Sequence, residues 1–112
     1  MACRNQNADS ATKQELESDI RLLARLAEQL PSQSVIARLS ESDIQDNIPL
    51  YLDEIEAALQ CTATEYVSEI TKQVITLLRN AAEAGDIRQG VGNAFSTLHE
   101  ARSELHRLNN ER

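Results

Sequence analysis

Apolar residues in this chain recur at alternating steps of three and four, and that rhythm leaves little choice of fold. The cleanest run is Ile87, Val91, Ala94, Leu98, Ala101, Leu105 and Leu108, spaced 4, 3, 4, 3, 4 and 3. Such steps keep a stripe on one face of a helix, whereas a half-buried strand alternates with a period of two. Three further segments carry comparable stripes, and aromatic residues are only 3% of the 112 residues, a composition that disfavours sheet packing. The expectation is an all-α protein, a small antiparallel bundle of four main helices with a short extra helix, over residues 12–109. The narrow seam of the last helix predicts Leu98, Ala101, Leu105 and Leu108 as a helix–helix contact, either inside one chain or across a homodimer, and a homodimer is the expected assembly.

Local punctuation sets the boundaries. Thr12-Lys13-Gln14-Glu15 has the spacing of a capping box, in which hydroxyl and carboxylate satisfy unpaired N–H groups of a first turn. Helix 1 is therefore expected over 12–30, with Leu16, Ile20, Leu23, Ala27 and Leu30 as its stripe, Leu22 and Leu26 widening it and Pro31 ending it. After a turn at 31–34, Val35–Leu39 reads as a short helical turn that plugs one end of the bundle. Ser40-Glu41-Ser42-Asp43 repeats the cap, and Ile44, Ile48, Leu52, Ile55 and Leu59 follow as far as residue 60. Pro49 interrupts that run because it has no N–H to donate, so a short helix followed by a longer one capped by Asn47 is favoured over one kinked helix.

A third box, Thr62-Ala63-Thr64-Glu65, opens a helix with Val67, Ile70, Val74, Leu77, Ala81 and Ala84 on its stripe and Gly85 as its left-handed stop. Ile75, Leu78 and Ala82 add a second stripe, which predicts the most buried helix of the bundle. In the last helix Gly90 and Gly92 cost about 1 kcal/mol each against Ala, so its start is expected to fray or hinge, with the helix proper beginning nearer Asn93.

The ends are polar. Residues 1–11 and 109–112 lack apolar anchors and are expected to be a disordered tail and a mobile end. The N-terminus has no apolar run of the length a secretory signal needs, and no stretch approaches a membrane span, which points to the cytoplasm. Cys3 and Cys61 read as free thiols there.

Charge is distributed unevenly. The chain carries −7, and from Leu39 to Thr71 there are eight acids and no Lys or Arg. Anionic membranes and nucleic acid are disfavoured partners for such a chain, while a protein with a basic surface is favoured. Asp43, Asp46, Asp53, Glu54 and Glu56 are the candidate acidic docking face, to be weighed against simple solvation of a helix.

Catalytic and cofactor constellations do not emerge. His99 and His106 are seven apart with Arg102 and Ser103 between them, so no carboxylate completes a metal set. A phosphotransfer histidine wants a nearby Lys, and His99 has Glu100 instead. No phosphate loop, nucleophile elbow or paired cysteine motif occurs, so neither catalysis nor a cofactor is expected.

Residues Arg38 to Ile55, with Leu39-Ser40, Asp43, Asp46, Ile48-Pro49 and Leu52-Asp53, resemble a stretch of the helical N-terminal sensing domain of RsbR-type stressosome proteins and some bacterial sensor kinases. Glu83-Ala84-Gly85 and Arg88-Gln89-Gly90 are similar to two further elements of that family, with Ala84 where a His is usual. The resemblance implies a globin-like or bundle-like regulatory domain, commonly dimeric and non-catalytic. Together these features predict a regulatory protein that binds and modulates another protein, as an adaptor or anti-activator of a transcription regulator or signalling protein. A small-ligand sensor and a helical chaperone are the alternatives.

Overall fold

A computed structural model of the chain describes residues 11–111, and their regular secondary structure is wholly α-helical. The elements are α1 (Lys13–Gln29), α2 (Gln33–Arg38), α3 (Glu41–Leu59), α4 (Glu65–Ala84) and α5 (Ile87–Asn110). The tail expected over residues 1–11, and Cys3 with it, lies outside the described residues except for Ala11, which is buried. At the other end α5 stays helical through Asn110, where a mobile segment was expected from Asn109. Arg107 holds that last turn, pairing with Glu104 at 2.7 Å and Glu111 at 2.8 Å.

Hydroxyl caps start the helices as their spacing demands. The Thr12 hydroxyl accepts from the Glu15 N–H at 3.1 Å while the Glu15 carboxylate accepts from the Thr12 N–H at 3.0 Å, completing a capping box. Ser40 accepts from the Asp43 N–H at 3.1 Å. For α4 the N-cap is Thr64, which accepts from Val67, and not Thr62 as the box pattern suggested. The helix begins two residues later because Thr62 turns back, donating to the Leu59 carbonyl.

α5 packs along both α4 and α1, α3 packs on α4, and α1 and α3 touch only lightly, giving the circuit α1, α5, α4, α3. Short connections make successive main helices antiparallel. The core draws on every helix, with Leu16, Ile44, Ile55, Val67, Val74, Leu78, Val91 and Leu105 essentially inaccessible. Tyr51 of α3 and Phe95 of α5 meet edge to face across the bundle, with ring centroids 5.8 Å apart. The short helix α2 sends Ile36 into the core, and Arg88 of α5 donates to its last carbonyls, to Ile36 O and, at 2.7 Å, to Leu39 O.

Three expectations about the helices are corrected. Residues 41–59 form one helix that passes through Pro49, in place of a short helix followed by a longer one. Pro49 and Gln45 are both exposed, so the carbonyl that the proline leaves unpaired lies on the solvent side of the helix, where hydration lowers the cost of the lost bond. Asn47 donates to the Asp43 carbonyl at 2.8 Å and caps nothing. In α1 the buried line is Leu16, Asp19, Leu23, Leu26 and Leu30, so Ala27 is exposed and an aspartate takes the place expected of Ile20. Finally, α5 begins at Ile87 without a break.

Gly90 explains that continuity. A Cβ at Gly90 would overlap the Ala81 side chain of α4, so the missing methylene is what lets the two helices approach. At Gly92 a Cβ would meet nothing within 4 Å. Substitution by alanine should therefore act in opposite directions at the two sites. We expect Gly92→Ala to raise the unfolding free energy by about 0.5–1 kcal/mol through helix propensity, and Gly90→Ala to lower it by about 1–3 kcal/mol through overpacking, as read by urea titration.

Candidate functional site

The acidic residues of α3 do not all share one face. At about 100° per residue, Asp46 and Asp53 stand opposite the buried line of Ile44, Ile48, Tyr51, Ile55 and Ala58. Asp43 and Glu54 flank them on the side towards α1, and all four are exposed. Glu56 lies on the other flank and pairs with Arg79 of α4, so it is not part of that face. In the middle of the four acids sits Leu50, which is 60% exposed. Helical spacing puts Asp46 one turn before it and Asp53 and Glu54 one turn after.

Beside Leu50 the loose α1–α3 contact opens into a groove of about 590 Å³, lined by Leu30, Pro31, Asn47, Leu50 and Tyr51 with Glu28 and Glu54 at its edge. An apolar side chain ringed by one sign of charge, next to a recess, is suited to an apolar anchor carried among cationic groups. The acids were visible in the sequence. Leu50 was not singled out, although its place between Ile48 and Leu52 and off the 44–48–55 line was the available signal.

The seam of α5 has a different fate. Leu98, Ala101, Leu105 and Leu108 are all buried within the one chain, against α1 and α4. Of the two contacts the heptad spacing allowed, the structure shows the intrachain one, and these side chains are not on the surface.

The most unusual buried group is Asp19, which pattern reading passed over as a surface acid. It is fully buried on α1, and its carboxylate accepts from the N–H of Ala63 at 2.7 Å, the N–H of Thr64 at 2.9 Å and the Thr64 hydroxyl at 2.7 Å. Burial pushes the carboxyl above its ordinary value of 3.8, while those hydrogen bonds pull it back and Glu15 adds to the rise. The group ties the middle of α1 to the start of α4.

A second groove, of about 440 Å³, runs between α1 and α5. Leu23, Ala27, Leu30, Phe95 and Leu98 give it apolar walls, Glu100 and Arg102 supply the charge, and His99 lines it as well. The Arg102 Nε is shut away from water without a hydrogen-bond partner. His99 and His106 are exposed, and among the described residues no three of His, Cys, Asp and Glu gather closely enough to hold a metal ion. Cys61 is an exposed free thiol at the end of α3. Among the described residues no helix is long and apolar enough to cross a membrane. Compared with known protein families, curated proteins and solved structures, the chain finds no match.

Two expected outcomes follow from the buried groups. Leu105→Ala should cost about 2–5 kcal/mol, and Leu105→Glu should prevent folding by burying an unpaired charge, which circular dichroism would show as lost helix in place of a folded protein of altered mass. Asp19→Ala should cost about 3 kcal/mol or more, since each donor left unpaired in the interior costs about 1–3 kcal/mol. Because the folded pKa of Asp19 is raised, its contribution is full below the unfolded value and is lost as pH rises through the folded one. The stability gap between wild type and Asp19→Asn should therefore be wider near pH 4 than near pH 7, as read by denaturant titration.

Proposed function

We propose that this chain is a non-catalytic regulatory protein that acts in the cytoplasm by binding another protein, as an adaptor or anti-activator of a transcription regulator or signalling protein. The observation that carries the reading is Leu50, an exposed apolar side chain set among Asp43, Asp46, Asp53 and Glu54 at the lip of the α1–α3 groove. The partner it suits is an amphipathic segment that places one apolar side chain against Leu50, Leu30 and Pro31 and basic side chains against the rim. The resemblance of residues 38–55 to a regulatory sensing domain points the same way, since those residues make up most of α3.

Nucleic acid is a poor partner for this face, because phosphates would meet carboxylates. A symmetric homodimer through it would set like charges opposite one another, and the α5 seam is already enclosed. The proposal is accordingly a partner of different sequence. Exposed charges of this kind set the rate of encounter and are screened by salt, while the apolar anchor sets the lifetime of the complex.

Affinity capture from the native cells, followed by reconstitution with the purified partner, tests the reading. Wild-type protein should retain one stoichiometric partner that is released as ionic strength rises. Leu50→Asp and the pair Asp46→Lys with Asp53→Lys should each weaken the reconstituted complex at least tenfold, whereas Glu56→Lys, on the flank facing α4, should change it little. A partner that binds all the variants equally, or recovery of the protein alone, would overturn it.

A further inference from the structure

We propose that the groove between α1 and α5 is a binding site for a small amphipathic monocarboxylate, with its apolar body against Leu23, Ala27, Leu30 and Phe95 and its carboxylate on the guanidinium of Arg102. At about 440 Å³ the groove falls in the range of small-molecule sites, roughly 300–1,000 Å³. Its apolar walls meet Arg102, a half-buried lining residue whose Nε has no hydrogen-bond partner. None of the ion pairs among the described residues involves Arg102, although Arg79 and Arg107 on neighbouring surfaces are paired.

The position of the other charges narrows the ligand. Phe95, Leu98, His99 and Arg102 recur at helical spacing on one stripe of α5. Glu100 lies about 160° round the helix from Arg102, on the far rim, so it leaves the guanidinium free to pair with a ligand. One guanidinium matches one carboxylate through two parallel hydrogen bonds. A dianionic phosphate would want further cations, and the chain, at −7 overall, puts no Lys and no second Arg along that groove.

Length follows from the antiparallel pairing of the two helices. Leu23 lies towards the Arg102 end and Leu30 towards the Phe95 end, so the walls extend over seven residues on each helix, which is roughly 10 Å and suits an acid with on the order of eight to ten carbons. The site shares Leu30 and Pro31 with the groove beside α3 but neither Leu50 nor the acids around it, so its failure would leave the protein-binding reading standing.

The test is titration of the full chain with sodium decanoate, kept below the concentration at which it forms micelles, and with decanol as the uncharged control. Calorimetry should give saturable one-to-one binding, and the melting temperature should rise with ligand concentration. Decanol should bind at least tenfold more weakly. Arg102→Gln should lose at least tenfold in decanoate affinity and little in decanol affinity. Ala27→Phe, at an exposed position on the groove wall, should block both while leaving the helical spectrum intact. Absence of saturable binding, equal affinity for acid and alcohol, or binding that survives both substitutions would overturn the proposal.

Discussion

A buried carboxylate sets the arrangement of this bundle. Asp19 reaches from α1 to donors 44 and 45 residues further along the chain, and Thr64, which it binds, is also the residue that caps α4. The free N–H groups and the positive end of the α4 dipole make that terminus a natural seat for negative charge. Because a carboxylate removed from water must find its donors, only one register of α1 against the start of α4 satisfies it. Apolar stripes alone tolerate sliding by a turn. The hydrogen-bonded acid does not, and every helix that packs on α1 or α4 inherits the position it fixes.

How much of this was legible depended on which force placed each residue. Apolar burial on a 3.6-residue period was open to reading, so α1, α4 and α5 and the inward line of α5 from Ile87 to Leu108 follow from spacing. Caps that rest on a neighbouring hydroxyl were open as well, as with Thr12 and Ser40. What escaped depended on tertiary partners. Asp19 looks like any surface acid until Ala63 and Thr64 are beside it, and its burial rotates the α1 stripe so that Ala27 faces out. Gly90 reads as a weak point in a helix until Ala81 is seen against it, where it becomes the condition for close packing. Pro49 sits inside a helix on its solvent side, where the stranded carbonyl is not buried in the core. Of the candidate site, the acids were evident and the apolar residue at their centre was not, because exposure is a property of the assembled bundle.

The fold also sorts the acids into those it neutralises and those it leaves bare. Glu56 is met by Arg79 from α4, whereas Asp43, Asp46, Asp53 and Glu54 are exposed and enter none of the ion pairs among the described residues. A field that would be diffuse over a helix of uniform charge is thereby concentrated around Leu50, where low-dielectric side chains form the floor.

Leu30 and Pro31, at the end of α1, line both the groove towards α5 and the groove towards α3. A wall common to two recesses makes their occupancies thermodynamically linked whenever filling one displaces it. The coupling free energy is then the same whichever recess is filled first, so a small molecule lodged on one side of this turn and a protein lodged on the other each report on the presence of the other. On those two proposals, the step from Leu30 to Pro31 just past α1 would couple two inputs, through a leucine and a proline with no moving domain.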